Sequence, residues 1–166
     1  YARSYLMQRA TGEFFAFLDS DDVWYPDKLS MQIELMLSQN ADICACGCDI
    51  FDNNGNKVGQ RIPLSKITFW NMHLADWIPT STAMVRSGLI GADGMSTIRR
   101  RQDYAYWLNI LKKNKDIKCV SIKKPVGGHY RNNNTLSSQK IKNLKYNYRM
   151  FHNVLGYSHF TSSLCV

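Results

Sequence analysis

Three carboxylates stand within four positions of this chain, Asp19, Asp21 and Asp22, and they directly follow an apolar run at residues 14–18. A continuous apolar run of this length predicts a strand buried on both faces of a parallel sheet, and ligands of open α/β sheets bind outside the carboxyl ends of such strands. Oxygen ligands suit a hard cation such as Mg²⁺ or Mn²⁺, which commonly completes its shell with substrate phosphates. We therefore predict a metal and phosphate site at this strand end, while Asp22 is also a candidate cap for the helix that Pro26 begins.

The elements that must position this cluster alternate between helix and strand. Helical spacing of apolar residues predicts helices from residue 26 onward and at 65–76 and 103–113. Further helices are predicted at residues 3–11, where Gly12 provides the end, and at 138–155. Short apolar or alternating runs predict strands at residues 14–18, 43–51, 57–60, 81–85, 117–122 and 126–131. In the helix after Pro26 the predicted apolar face is Leu29, Ile33, Met36 and Leu37. The predicted class is α/β, with one domain at residues 1–136 and a helical extension at residues 137–166.

Composition and charge restrict the class of protein. Hydrophobic residues make up 45% and charged residues 20% of the 166 residues, which argues against a disordered tail, and no apolar run approaches the roughly 20 residues of a spanning helix. Residues 1–60 carry 4 Lys and Arg against 9 Asp and Glu, whereas residues 61–166 carry 17 against 4, so the net charge of +8 combines −5 with +13. Because the acidic groups concentrate around one site, a uniformly basic nucleic-acid binder is disfavoured.

The five cysteines indicate buried thiols rather than a metal site or disulfides. Cys44, Cys46 and Cys48 fall on one face of the predicted strand at residues 43–51, about 7 Å apart. At that spacing they neither converge readily on one zinc ion nor pair as disulfides. We interpret them as small buried side chains in a reducing cytoplasm.

The segment at residues 10–29 resembles the nucleotide-sugar glycosyltransferases of family 2, whose pattern there reads A-x-G-E-aromatic-apolar-A-F-L-D-S-D-D-x-W-x-P-x-K-L. The resemblance implies the C-terminal portion of a GT-A fold, a Rossmann-like mixed sheet flanked by helices, and a fragment that lacks the N-terminal nucleotide-binding strands. It also implies that Asp19 and Asp21 meet the donor diphosphate and its Mg²⁺ or Mn²⁺ ion. Arg3, in the Ala2-Arg3-Ser4 match to the family's A-R-N, is expected at the same diphosphate.

A second match lies downstream, where Arg101-Gln102-Asp103-Tyr104 resembles the family segment in which the acid that opens a helix is the catalytic base. The resemblance implies that Asp103 is this base, whereas spacing alone favours a helix cap paired with the neighbouring arginines. Residues 79–85 fit the family's S-T-x-M-V strand beside the acceptor. Asn133 stands where many members carry a His, so a third metal ligand from that position is not expected. The predicted acceptor or sugar contacts are Trp24, Ser81, Thr82, Arg101 and Gln102.

These matches together imply an inverting glycosyltransferase of bacterial surface-polysaccharide synthesis. The implied donor is a nucleotide sugar, foremost a UDP-sugar, the acceptor is a saccharide or a lipid-linked saccharide, and no nucleic-acid partner is expected. Lys142, Lys145 and Arg149 fall on one side of the last predicted helix beside aromatic residues, which would suit a cytoplasmic protein in peripheral contact with the inner membrane face. The preferred interpretation of that helix is a solvated basic face whose aromatic side chains pack on the sheet.

Two other classes of protein are alternatives. Residues 18–23 also satisfy the D-x-D-x-(T/V) motif of haloacid-dehalogenase-like phosphatases, in which Asp19 would be the nucleophile, but no later predicted strand ends in the acidic pair that those enzymes need. A basic nucleic-acid-binding module is the weaker alternative, because the acidic cluster would repel phosphate without a metal ion.

Overall fold

A six-stranded mixed sheet forms the centre of the chain in the computed structural model, which describes residues 2–90, 98, 101–130 and 138–165. The strands are β1 (Phe14–Ala16), β2 (Asp22–Trp24), β3 (Ile43–Phe51), β4 (Lys57–Arg61), β5 (Met84–Arg86) and β6 (Cys119–Tyr130). They lie in the order β1-β5-β3-β6-β2, and β4 pairs with the second half of β3. Strands β3 and β6 are parallel, and the other pairings described are antiparallel.

Helices cover this sheet, which confirms the α/β class and the mixed sheet flanked by helices. They are α1 (Ala2–Arg9), α2 (Lys28–Ser38), α3 (Gln102–Lys113), α4 (Ser138–Arg149) and α5 (His159–Leu164). Single 3₁₀ turns occur at Asn71–His73, Thr80–Thr82 and Ser87–Leu89, and a π-helical turn at Met150–Val154 follows α4. None of the helices in the described ranges is long and apolar enough to cross a membrane.

Strand β3 is buried because side chains from helices pack on both of its faces. Ile43 belongs to the same hydrophobic cluster as Trp107 of α3. Cys44 and Cys46 point to the other face and belong to a cluster with Met36 of α2. The bounds predicted for this strand are confirmed, and its three cysteines are buried and free, as predicted.

The buried face of α2 shares only Met36 with the predicted face, and the prediction is wrong for the other three residues. Lys28, Gln32 and Met36 are buried. The apolar side chains of the predicted face are 40%, 38% and 56% exposed at Leu29, Ile33 and Leu37. Both stripes repeat every four residues, so a helix of this sequence can turn either one toward the sheet. The polar stripe is tolerated inside because the ends of Lys28 and Gln32 find partners there.

Strands β1 and β2 correct the account of the carboxylate cluster. β1 covers only Phe14–Ala16, is half-buried at the sheet edge and pairs antiparallel with β5, so the prediction of a parallel strand buried on both faces is wrong. The chain then turns into β2, which was not predicted and which pairs antiparallel with β6. Gly127 permits this close pairing, because a Cβ there would lie 2.6 Å from the carbonyl oxygen of Val23. Asp22 therefore begins a strand and does not cap α2, whose N-cap residue is Asp27.

Three further predicted elements differ in the structure. The helix predicted at residues 65–76 is a single 3₁₀ turn, because the Asn71 side chain competes with helical hydrogen bonds, donating to Lys66 O at 2.8 Å and accepting from Thr68 N–H at 2.9 Å. The strand predicted at residues 81–85 is the turn Thr80–Thr82 followed by β5. The two strands predicted between residues 117 and 131 are one continuous strand, β6.

The C-terminal helices pack on the same core as α3. Met150, Phe151 and Leu155 are buried in the hydrophobic cluster that contains Trp107. The ring of Phe151 stacks on that of His73, with 5.5 Å between centroids. Phe151 therefore packs on the protein, in line with the preferred interpretation of this segment. The boundary predicted between residues 136 and 137 lies outside the described residues.

Candidate active site

A cavity of about 280 Å³ lies beside the C-terminal halves of the parallel strands β3 and β6. Its walls include four carboxylates, from Asp19, Asp22, Asp76 and Asp103, together with Arg61, His129 and the turn Thr80–Thr82. These residues come from distant parts of the sequence. Of the residues predicted from sequence, the structure brings Asp19, Ser81, Thr82 and Asp103 into this one cavity.

A larger groove of about 1180 Å³ lies beside the C-terminal end of α3 and the beginning of β6. It contains none of the predicted site residues, and the only carboxylate among the described residues that line it is that of Asp116. Size alone therefore does not identify the site, and the smaller cavity with its acids is the better candidate.

Asp19 follows β1 and is held by two contacts. Its carboxylate forms an ion pair with the guanidinium of Arg3 on α1, and its backbone N–H donates to Ser81 Oγ at 3.0 Å. Both members of the ion pair keep partial access to solvent. Asp21 is exposed and does not line the cavity. A cation and a carboxylate thus lie together on this side of the site.

Asp22 is the most buried acid of the cluster, with its side chain 5% exposed. It accepts a hydrogen bond from Nδ1 of His129 at 2.9 Å. Burial alone would raise the pKa of Asp22, but hydrogen bonds from His129 and Ser81 outweigh burial and hold that pKa below its ordinary value. The same hydrogen bond raises the pKa of His129. Sequence reasoning missed this pair, because His129 is 107 positions from Asp22 and no metal-ligand spacing marks it.

Asp103 lies in the first turn of α3 and is half-buried. Thr80 Oγ1 donates to its Oδ2 at 3.0 Å, and the Tyr104 backbone N–H contacts its Oδ1 at 2.9 Å. This position places the carboxylate at the positive end of the α3 helix dipole. Since Ser81 binds Asp19 and Thr80 binds Asp103, the turn Thr80–Thr82 connects the two acids.

Three other predicted contacts lie outside this cavity. The indole N–H of Trp24 donates to Ser81 O at 2.7 Å, and the ring does not line the cavity. Arg101, at a left-handed φ of 64°, lines an adjacent cavity of about 610 Å³ that shares Arg61 and Asp76 with this one. Gln102 lines neither of the two. Arg99, Arg100 and Asn133 lie outside the described residues.

Asp76 and Arg61 line the cavity although no motif indicated them. Oδ1 of Asp76 accepts from the Ile78 N–H at 3.2 Å, and Arg61, at the end of β4, donates to the backbone oxygen of Asp76. Burial raises the pKa of Asp76 to about 6, with the charge of Asp103 adding to this effect and Arg61 opposing it. Both residues are isolated in the sequence, so only their position in the fold identifies them.

The available ligands suit a divalent cation that is held together with a substrate. Within residues 2–90, 98, 101–130 and 138–165, no three His, Cys, Asp or Glu side chains are grouped as a metal site. Asp19 and its neighbours nevertheless offer carboxylate oxygens, and Mg²⁺ commonly binds through one or two carboxylates with water and phosphate as its other ligands. The residues therefore fit Mg²⁺ or Mn²⁺ bound with a diphosphate better than an ion bound by protein alone.

Known proteins share both the sequence and the fold of this chain. Residues 1–107 match the family described as Glycosyl transferase family 2. The chain is 33% identical over 144 residues to UDP-Glc:alpha-D-GlcNAc-diphosphoundecaprenol beta-1,3-glucosyltransferase WfgD of Escherichia coli, a match that covers 87% of this chain and 56% of that protein. It is 32% identical over 145 residues to TuaG of Bacillus subtilis (strain 168), a glycosyltransferase assigned to teichuronic acid biosynthesis. That match covers 87% of this chain and 57% of TuaG.

The fold resembles that of S. aureus TarS residues 1–349 in complex with UDP, with a TM-score of 0.61 and 14% identity over 98% of this chain and 47% of that one. At this identity the likeness concerns the fold alone. The chain spans about half the length of the curated relatives it matches. The family match leaves the phosphatase and the nucleic-acid module without support. Because that match covers more than half of the chain and two relatives exceed 30% identity, the chain belongs to glycosyl transferase family 2.

Proposed function

We propose that this protein is an inverting glycosyltransferase that moves a sugar from a nucleoside-diphosphate donor, a UDP-sugar, to a hydroxyl of a saccharide or lipid-linked acceptor in bacterial surface-polysaccharide synthesis. The observation that carries the proposal is one cavity in which Asp19, paired with Arg3, and Asp103 are both bound to the turn Thr80–Thr82. Transfer requires a diphosphate beside cationic groups and a hydroxyl beside a base. This cavity has a cationic lining residue, Arg61, and Asp19 in its wall carries the cation Arg3, while Asp103 is a carboxylate in the same wall that could act as the base.

Asp19, Asp21 and Arg3 form the proposed diphosphate side. Arg3 can exchange its ion pair with Asp19 for phosphate oxygens, which a guanidinium binds through two parallel hydrogen bonds. Asp19 and Asp21 would hold Mg²⁺ or Mn²⁺, and the bound ion would stabilise the negative charge of the leaving nucleoside diphosphate. Asp22 remains paired with His129 beside them, and its lowered pKa keeps it charged.

Asp103 is the proposed general base. It would take the proton of the acceptor hydroxyl as the oxygen attacks the anomeric carbon, a contribution of typically about 10² to 10⁴ in rate. The Thr80 hydroxyl occupies one carboxylate oxygen and orients the group, which leaves the carboxylate further lone pairs for the acceptor. One direct displacement from the face opposite the leaving group inverts the anomeric configuration.

The acceptor is proposed from the relatives. By its name, WfgD acts on a diphosphoundecaprenol-linked sugar, and a lipid-linked acceptor of this kind would place the present protein in the cytoplasm with peripheral contact at the inner membrane face. Ser81 and Thr82 line the cavity and are the proposed acceptor contacts within it. Trp24, Arg101 and Gln102 stay predicted contacts that would require an acceptor extending beyond this cavity.

A donor screen on the full-length protein tests the proposal. Release of nucleoside diphosphate is measured from a panel of nucleotide sugars, with a lipid-diphosphate-linked saccharide or a free saccharide as acceptor, and with Mg²⁺, Mn²⁺ or a chelator. We expect release that requires both an acceptor and the divalent ion. Undiminished transfer in the chelator would contradict the metal requirement, and no transfer from any donor would contradict the proposed function.

Three variants separate the proposed roles. Asp103→Asn should lower transfer by about 10²-fold or more while nucleotide binding, measured by calorimetry, is retained. Asp19→Asn or Asp21→Asn should weaken both transfer and metal-dependent nucleotide binding. Asp116→Asn removes the same charge at an exposed position away from the cavity and is the matched control. Full activity in any of the first three variants would remove the role assigned to that residue.

A further inference from the structure

Lys28 is a cation in the interior of the protein. It is the first residue of α2 and is 1% exposed. Within the described ranges no carboxylate forms a salt bridge with it. Its Nζ donates to Gln32 Oε1 at 2.6 Å and lies 4.1 Å from the centroid of the Trp24 ring. An ammonium group buried without a counter-ion is costly, so its retention in this place calls for an explanation.

The two side chains that Lys28 contacts both bind the turn Thr80–Thr82. Trp24 Nε1–H donates to Ser81 O at 2.7 Å. Gln32 Nε2 donates to Thr82 O at 2.9 Å and to Cys44 O at 3.2 Å. Because Lys28 bridges Trp24 and Gln32, it orients the two donors that hold the turn through its carbonyl groups.

Two hydroxyl groups of the same turn bind two of the four acidic residues in the cavity wall. Ser81 Oγ accepts from the Asp19 backbone N–H, and Thr80 Oγ1 donates to Asp103 Oδ2, both at 3.0 Å. All three residues of the turn are buried. One three-residue segment therefore makes both sets of contacts. Its carbonyl groups accept from Trp24 and Gln32, and its hydroxyl groups bind Asp19 and Asp103.

We propose that Lys28 is a positioning residue of the active site, which fixes the turn Thr80–Thr82 through Trp24 and Gln32 and thereby sets the separation of Asp19 and Asp103. Lys28 touches neither acid, so its effect is indirect. The inference rests on the proposed function, because the separation matters only if the two acids act in one reaction. A displacement of about 1 Å at such a site can cost about 10²-fold in rate.

The protonation of Lys28 gives this arrangement a pH limit. Burial lowers the pKa of Lys28 to about 8, while the thiols of Cys46 and Cys44 on β3 oppose the shift. The other groups against Nζ, Trp24 on β2 and Gln32 on α2, carry no charge. Above that pH the lysine loses its charge and with it the attraction to the Trp24 ring. The turn should then be held less firmly.

Lys28→Met tests the proposal in the full-length protein. Methionine keeps much of the length and fills the apolar surroundings, but it lacks the ammonium group. We expect kcat for sugar transfer to fall about tenfold or more and the donor KM to stay within about twofold. We expect Tm to be unchanged or higher, because a buried cation without a counter-ion is removed. A purely structural lysine would instead lower Tm and leave the kcat of the folded enzyme unchanged.

Met36→Ala is the matched control, because Met36 is buried on the same face of α2 and makes no hydrogen bond to the turn. It should lower Tm and leave kcat unchanged. If Lys28 acts through Thr80, Lys28→Met should reduce kcat much less in a Thr80→Val background than in the wild type. In the wild type, kcat should decline above about pH 8, where Lys28 loses its charge. This decline should be absent in Lys28→Met. If the fold-reductions in kcat from Lys28→Met and Thr80→Val simply multiply in the double variant, the inference is overturned.

The outcomes distinguish this inference from the proposed function. A wild-type protein that transfers sugar while Lys28→Met transfers it equally well overturns the inference alone. A wild-type protein that transfers no sugar from any donor overturns both. If Lys28→Met does not fold, Trp24→Phe is measured instead, since it keeps an aromatic ring beside the lysine and removes the hydrogen bond to Ser81 O. An unchanged kcat in Trp24→Phe counts against the inference, and a fall of about tenfold with an unchanged acceptor KM supports it, whereas a raised acceptor KM would assign the loss to the predicted acceptor contact of Trp24 and count against the inference.

Discussion

Replacing Asp76 by Asn removes a carboxylate whose charge the folded protein disfavours. Burial, reinforced by the charge of Asp103, raises the pKa of Asp76 from an ordinary value of 3.8 to about 6. Below the lower value the acid is protonated in both the folded and the unfolded chain and costs nothing. The cost to folding grows as the pH rises between the two values and is complete above the higher one. We therefore expect Asp76→Asn to stabilise the protein at neutral pH and to have little effect in acid.

The size of the effect follows from the same two values. A difference of about two pKa units corresponds to at most about 3 kcal/mol of unfolding free energy. Asp76 keeps partial access to solvent, which screens part of this, so the expected gain is about 1–2 kcal/mol. For a chain of this length that is a rise in Tm of about 2–8 °C. Asparagine keeps an oxygen that can accept the Ile78 N–H, so this hydrogen bond is retained.

Thermal unfolding at about pH 4 and about pH 7.5 measures the effect. The expected result is a higher Tm for Asp76→Asn at the higher pH and nearly equal values at the lower one. Asp116→Asn removes the same charge at an exposed position and should not change Tm at either pH. An equal shift at both pH values, or a lower Tm for Asp76→Asn at the higher pH, would refute the reasoning that burial opposes this charge.

The remaining predictions concern contacts in and near the cavity. The pKa of Asp22 is lowered and that of His129 is raised, so their ion pair stabilises the fold at pH values between the ordinary pKa values of the two groups. The stabilisation fades as the pH falls below or rises above that window. His129→Asn should therefore lower Tm more at about pH 5.5 than at about pH 8.5, and the reverse order would contradict the pairing. Gly127→Ala should lower the free energy of unfolding in urea by about 1–3 kcal/mol, since its Cβ would lie 2.6 Å from a backbone oxygen. Gly59→Ala should lower it little, because no atom lies closer than 4.0 Å to that Cβ position. Equal costs would count against that contact. Phe151→Ala should cost about 3–5 kcal/mol by the same measurement if the C-terminal helices belong to the core, and a cost below about 1 kcal/mol would contradict this.

Local patterns in the chain were sufficient to predict two of the elements that line the site, β3 and α3. Strand β3 was predicted at its observed bounds because a strand covered on both faces requires a continuous run of apolar side chains. Helix α3 was predicted within one residue, since Asp103 precedes apolar residues at helical spacing. The carboxylate cluster at residues 19–22 was identifiable because its chemistry is contained in adjacent residues. The family assignment depended on the same local segments and is confirmed.

Only the tertiary structure decided which polar side chains meet. Asp22, Asp76 and His129 are far from one another along the chain, and they share a cavity because β2 pairs with β6 and because the segment before the turn Thr80–Thr82 reaches the same wall. Local sequence patterns are also insufficient for helix α2, since its sequence allows either of two stripes of side chains to face the sheet. The stripe with Lys28 is buried because the Trp24 ring contacts Lys28 and because the backbone oxygens of Cys44 and Thr82 accept hydrogen bonds from Gln32. Which stripe of a helix is buried, and which polar side chains meet, depends on the free energy of contacts between residues far apart in the chain. A local sequence pattern gives no information on those contacts.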